Sequence, residues 1–188
     1  MKEVGWMAQP PYHRQNLAAA IAQQARQQLG QQGVGQLSLR QIARDLGVTP
    51  AAVYRHYPDK QALLAQLHVT VAEEVQAALQ EGVLVSNDAN AMFHRMVQNF
   101  LAFRQDQPFA MAFYLQGALT LPQGLVTVIN LVNTAHGRVT LPYQAASVWT
   151  FLIGIVTQPQ GVLSRPTVLA ICERLLVSPA ASAENPEA

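Results

Sequence analysis

The 188-residue sequence holds a single cysteine, Cys172, so no disulfide can form within the chain. That usage fits a reducing compartment, and a cytoplasmic protein is expected. Charge is scarce as well: 12% of residues are Asp, Glu, Lys or Arg, 50% are hydrophobic, and the formal net charge is +1. Such a composition supplies a core and excludes a disordered polyelectrolyte. Long apolar runs are missing. The most apolar stretch, "VWTFLIGIV" at 148–156, falls short of the ~20 residues that span a bilayer. The opening "MKEVGWMAQPPYHRQ" lacks the apolar centre of a secretory signal, and no membrane partner is expected. There is no convincing period-two alternation and no Asn-Gly hairpin. There is no Gly-rich phosphate loop, no His/Cys metal spacing and no nucleophile motif. No catalytic residue, metal or cofactor is therefore assigned. His94 and His136 stand alone, and Cys172 sits on an apolar stripe that reads as core.

What is present is helical throughout, so the expected fold class is all-α. A first helix is expected from about Tyr12 to Gln31, with Leu17, Ala20, Ile21, Ala25 and Leu29 on one buried face and Gly30, Gly33 and Gly35 ending it. Ser38, with Gln41 three residues on, has the form of a capping box, in which each side chain satisfies the other's backbone N–H. Leu37 and Ile42 occupy the positions of a hydrophobic staple. Ile42, Ala43 and Leu46 are expected to face inward, and Gly47 to stop this helix. Thr49 then suits an N-cap and Pro50 the first helical position. Pro58 interrupts the second short helix after His56, and Asp59 can cap a long helix over 59–81. "GVLVSNDAN" at 82–90 reads as a hinge. Further helices are expected over 89–105, 108–119, 122–137, 142–157 and 165–177, and "SPAASAENPEA" as a disordered tail.

Charge is also unevenly spread. Residues 1–70 carry seven basic and three acidic side chains, a surplus of +4, and the remainder carries −3. A basic front on an acidic body suits a polyanion partner. Within the front, two short helices joined at Gly47 have the form of a helix-turn-helix. The second helix would put Val53 and Tyr57 into a small core. Its other face would carry Ala51 and Ala52, small enough to enter a major groove, beside Tyr54, Arg55 and His56. Lys60 stands in the first turn of the next helix, where the dipole disfavours a cation, and a phosphate neighbour would account for it. The competing reading, a solvated face with a few basic residues, explains the charges but not the succession of cap, turn, small face and second cap. A nonspecific DNA-compacting protein would need far more positive charge.

"LSLRQIARDLGVTPAAVYRHYPDKQALL" resembles the DNA-binding segment of TetR-family transcriptional regulators, over roughly residues 14–66 with the preceding helix. The resemblance implies a three-helix DNA-binding head (12–66), a helical ligand-binding and dimerisation body (67–178) and a tail (179–188). It implies a ligand-responsive regulator, most commonly a repressor, acting on double-stranded DNA. Carried over by position, Arg40, Thr49, Pro50, Ala51, Ala52, Tyr54, Arg55, His56 and Lys60 would meet DNA. The body resembles a TetR-type C-terminal domain named for a Trp-His-Gly motif. Trp149 and Gly154 stand at matching places, but Ile153 occupies the histidine position, so nothing tied to that histidine carries over.

In the body, Met92, Met96, Phe100 and Phe103 share a helical face, which reads either as core or as the wall of an apolar cavity. Met111, Phe113, Tyr114 and Gln116 lie nearby in sequence, and Asn130, Asn133 and His136 interrupt an apolar helix. Together they form the candidate site for a small apolar effector. The helix at 142–157 is apolar nearly all round, so a partner subunit is expected to cover one side. Trp149, Leu152, Ile153, Val156, Val168, Ile171, Cys172 and Leu175 are the candidate interface of a homodimer built as a four-helix contact. A two-fold dimer would read a pseudo-palindromic operator. The alternative to a DNA-binding regulator is an all-helical small-molecule-binding protein or enzyme that does not recognise a DNA sequence.

Overall fold

The computed structural model describes residues 16–177. The expected helix start at Tyr12 and the tail at 179–188 lie outside the described residues. Those residues form helices α1 (Leu17–Gln36), α2 (Leu39–Asp45), α3 (Pro50–His56), α4 (Lys60–Gln80), α5 (Ala89–Asp106), α6 (Pro108–Tyr114), α7 (Gln123–Ala135), α8 (Gln144–Thr157) and α9 (Arg165–Leu176), with a 3-10 turn at Val83–Val85. No strand occurs among them. The chain divides into two compact units, and the division falls within α4 between Leu67 and His68.

The first unit is a head in which α1, α2 and α3 pack on one another. Ile21, Ala25, Leu29, Leu37, Leu39, Ile42, Ala43 and Val53 are buried there. Leu46, expected inside, is only half-buried, and Leu39 is enclosed instead. α1 outlasts the expected end at Gln31. Its regular backbone breaks at Gly33, whose φ of 75° favours glycine, before one more turn.

The capping box is only half formed. Ser38 Oγ accepts from Gln41 N at 3.3 Å as expected, but Gln41 does not return the bond. Its Nε2 donates to Asp45 Oδ1 at 2.6 Å. Ser38 N donates instead to Gln28 Oε1 at 3.2 Å, and Gln28 Nε2 reaches Asp45 Oδ2 at 3.4 Å. Gln24 Nε2 donates to the same oxygen at 2.8 Å. One carboxylate on α2 thus gathers three glutamines, two of them from α1.

In the second unit α5 packs against α6, α7, α8 and α9. Phe93, Met96, Val97 and Phe100 are buried along it, and Phe100 meets Trp149 of α8 with ring centroids 5.1 Å apart. Gln144, 2% exposed, binds three elements together. Its Oε1 accepts from Asn133 Nδ2 and from Leu141 N, both at 2.9 Å, and its Nε2 donates to Leu176 O at 2.7 Å. α6 ends at Tyr114 rather than 119. Tyr114 O accepts from Gly117 N at 3.0 Å in the turn that follows. A Cβ at Gly117 would lie 2.9 Å from His68 Nδ1, so a larger residue here would displace the His68 ring on α4.

α8 is not buried on every side. Ala145, Val148, Trp149, Leu152 and Val156 face the core, while Ala146, Thr150, Gly154 and Thr157 are exposed. On α9, Val168, Cys172 and Leu176 are buried. Burial pushes the Cys172 thiol up to about 12, with the Glu173 carboxylate adding to the effect.

Two outcomes follow. Gln28→Ala removes the acceptor of the part-buried Ser38 N–H and should lower the unfolding free energy by about 1 kcal/mol, more than Gln41→Ala, in urea titrations of the two variants. The raised Cys172 pKa favours the neutral thiol, so its contribution to stability holds below pH 9 and is lost as pH rises towards about 12. Thermal melts of Cys172→Ala should show a shallower loss of stability across that window than the unsubstituted chain.

Candidate nucleic-acid interface

The turn between α2 and α3 is built by local chemistry. Gly47 adopts φ 65°. Its N–H donates to Arg44 O at 3.1 Å, and Val48 N donates to Ala43 O at 2.9 Å. This paired pattern is a Schellman motif, which satisfies the last carbonyls of α2 and turns the chain sharply. Thr49 Oγ1 then accepts from Ala52 N at 3.3 Å, with Pro50 at the first helical position. Asp59 repeats the device for α4, its Oδ1 accepting from Ala62 N at 2.8 Å. Two caps and one glycine thus set the direction of α3.

Val53 is fully buried and Tyr57 is 9% exposed. Burial raises the pKa of the Tyr57 phenol, as suits a side chain in the head's core. The opposite side of α3 is open. Ala51, Arg55 and His56 are exposed, Tyr54 is 40% exposed and Ala52 is half-buried. Thr49 and Pro50 are exposed at its leading end, and Arg40 is exposed on α2. The exposed part therefore combines small side chains near the start with an aromatic hydroxyl, a guanidinium and an imidazole farther on. Its first turn carries no acid, and Arg55 and His56 lie in its last turn, where the helix dipole favours cations.

Lys60 is half-buried, and its Nζ donates to Gly35 O at 3.1 Å. An ammonium has three donors, so two remain beyond this bond. The bond also answers, without any phosphate, why a lysine is tolerated in the first turn of α4. Neither Gly35 nor the Asp45 cluster was legible as part of this region. The sole sequence trace was the four-residue spacing of Gln24 and Gln28, which puts both on one side of α1.

The body candidates divide by burial. Met96, Phe100, Met111, Phe113, Tyr114 and Asn133 are buried, Met92 and Phe103 are half-buried, and Gln116, Asn130 and His136 are exposed. His136 Nε2 lies 3.1 Å from Asn90 Oδ1, and Asn133 Nδ2 has Thr140 and Gln144 as internal partners. A cleft of about 290 Å³ lies beside α4, lined in part by His68, Ala72, Gln76, Tyr114, Gly117 and Thr120. Tyr114 is the one member of the candidate set among its lining residues. The His68 ring stacks on Phe113 at 4.0 Å between centroids.

Of the dimer candidates, Trp149, Leu152, Val156, Val168 and Cys172 are enclosed by the chain's own core, and Ile153, Ile171 and Leu175 are half-exposed. The nearly all-apolar pattern of α8 does not disclose which of its sides meets its own subunit, and on α9 Val168 and Cys172 lie on the side that faces the core. Among the described residues no group of three or more His, Cys, Asp or Glu side chains is placed to hold a metal, and no helix is long and apolar enough to cross a membrane.

Residues 21–67 match the model of bacterial regulatory proteins of the tetR family. No curated protein matches the chain. A protein of unknown function from Rhodococcus sp. RHA1 is similar in structure, with a TM-score of 0.67 at 25% identity over 89% of this chain and 97% of its own. A TetR-family transcriptional regulator from Haemophilus influenzae gives 0.64 at 16% identity, over 88% and 97% of the two chains. The TetR family transcriptional regulator PfmR from Thermus thermophilus gives 0.55 at 19%, over 83% and 96%. The last two likenesses bear on the fold.

Burial separates two classes of substitution in α3. Val53→Ala should cost about 2 kcal/mol of stability. Tyr54→Ala and Arg55→Ala should each stay within about 0.5 kcal/mol of the unsubstituted chain. Chemical denaturation of the three variants measures the difference.

Proposed function

We propose that the chain, whose residues 21–67 match the model of bacterial regulatory proteins of the tetR family, is a sequence-specific DNA-binding transcriptional regulator of that family. We propose further that it acts as a homodimeric repressor released by a small effector. One observation carries the DNA-binding reading: α3 holds Val53 inside and leaves Ala51, Tyr54, Arg55 and His56 outside. Small residues admit the helix to a major groove, Arg55 can reach a guanine edge or a phosphate, and the Tyr54 hydroxyl can donate to a phosphate oxygen. Arg40 and the two uncommitted Lys60 donors would add backbone contacts from either side of the motif in sequence.

The homodimer reading rests on the outer side of α8. Ala146, Thr150, Gly154 and Thr157 are small, so a second helix could approach closely there, flanked by the half-exposed Ile153. The buried members of the original set would support that face from behind. Two heads related by a two-fold axis would read half-sites about 34–36 Å apart or a multiple of that. For the effector, the cleft beside α4 supports a ligand with both apolar and hydrogen-bonding parts, since Val69, Ala72, Gly117 and Ala118 share its lining with His68, Glu73, Gln76, Tyr114 and Thr120. A ligand held there would bias the position of α4 and so the balance between two states of the regulator. The match of residues 21–67 to a family of regulatory proteins supports a non-enzymatic role.

Binding to DNA flanking the protein's own gene, followed by fluorescence anisotropy with and without competitor DNA, tests the reading. Tyr54→Ala should weaken binding to all sequences alike. Arg55→Ala should cost about 1–3 kcal/mol and relax preference at one position if the guanidinium reads a base. Equal affinity for operator and random duplex in the unsubstituted protein would sink the proposal. Thr150→Arg should shift the mass measured by light scattering from dimer to monomer, and a mass unchanged by the substitution would remove α8 from the interface.

A further inference from the structure

A second cleft lies wholly within the body and shares no lining residue with the one beside α4. Its volume is about 60 Å³, and it is bounded by the end of α5, the end of α8 with the loop that follows, and the start of α9. Leu101, Ile155, Leu163 and Val168 form the aliphatic part of its lining, which Arg104 and Arg165 share with Gln105, Gln160 and Gly161.

Neither cation has a carboxylate partner among the described residues. Arg104 Nη1 donates to Ile155 O at 3.1 Å and its Nη2 to Gln158 O. Arg165 Nη2 donates to Gln105 Oε1. All three acceptors are neutral oxygens, and each guanidinium has five N–H donors. Arg104 therefore supplies the cation that α8 lacks in its own last turn. Arg165 is placed oppositely. It is the first residue of α9, whose first turn contains no acid, so its charge meets the positive end of that helix. Two like charges and a helix N-terminus bordering one small cavity form a local excess of positive potential, which a bound anion would relieve.

We infer that this cleft is a binding site for a short-chain monocarboxylate, held at its carboxylate by Arg104 and Arg165 and at its alkyl end by Leu101, Ile155, Leu163 and Val168. Size and polarity set the class. A cleft of about 60 Å³ holds only a few water-sized groups, which restricts the ligand to a carboxylate of very few carbons. The planar guanidinium fork matches a carboxylate in two-point contact. Phosphate is also an anion of suitable size, and Gln105 and Gln160 line the cleft too, but any phosphate oxygen turned against the four aliphatic side chains would lack a partner, at a desolvation cost. The inference does not depend on DNA binding, because the cleft lies in the body and its occupancy can be read without DNA.

The experiment is calorimetric titration of the full chain with sodium acetate, propionate, phosphate and chloride at matched ionic strength. It is repeated on Arg165→Gln and on Arg95→Gln, an exposed arginine outside the cleft. Arg165 is the informative position because it is exposed, whereas replacing Arg104 would also uncap α8. Saturable binding of acetate or propionate is expected, weakened about tenfold or more in Arg165→Gln and unchanged in Arg95→Gln. Absence of saturable binding, equal affinity in Arg165→Gln, or phosphate or chloride binding as tightly as propionate would overturn the proposal.

Discussion

A seven-residue helix does not persist in water, since nucleation costs more than so few bonds return. α3 is such a helix, and everything the head can do depends on holding it in place. The constraint that does so is the burial of Val53, flanked by the Schellman turn at Gly47 and the Thr49 cap. Val53 fixes which side of α3 turns inward, so the identity of the outward residues follows from helical geometry. Gly47 fixes the angle at which α3 leaves α2. Recognition by this head thus rests on a short stretch of chain whose stability comes almost entirely from its surroundings.

The surroundings include a polar device as well as an apolar one. Asp45 draws Gln24, Gln28 and Gln41 together, and Gln28 satisfies the N–H of Ser38 that would otherwise be left without a partner. The long side chain of a neighbouring helix thus completes the start of α2. Lys60 plays a similar part at the other side of the motif by tying α4 to the turn after Gly33. Both contacts join segments distant in sequence, so the orientation of the short helices is shared across the head.

Local signals were legible in the sequence, and contacts between distant segments were not. Ser38, Thr49 and Asp59 cap as expected, and Gly47 turns the chain, because each acts on backbone within three residues of itself. The all-helical fold was legible from periodicity. The Gln28–Ser38 bond was not, since it competes with a capping partner nearer in sequence. The length of α6 escaped because the turn that closes it, with Gly117 N donating to Tyr114 O, has no marker in the helical periodicity. In α8 the apolar pattern concealed which side faces α5, so Trp149 and Leu152 were read as interface although they fill the core. Met96 and Phe100 of the helical stripe are buried, which hydrophobicity alone could not decide.

The central claim is that α3 presents Ala51, Ala52, Tyr54, Arg55 and His56 to DNA while Val53 and Tyr57 hold it in the head. Backbone amide chemical-shift mapping during titration with a duplex taken from the DNA beside the protein's own gene tests this most directly. The account predicts the largest shifts at residues 49–56, with smaller ones at Arg40 and Lys60, and little change in α7 to α9 beyond a general effect of size. Shifts confined to the body, or a head whose amides do not respond to saturating duplex, would contradict it.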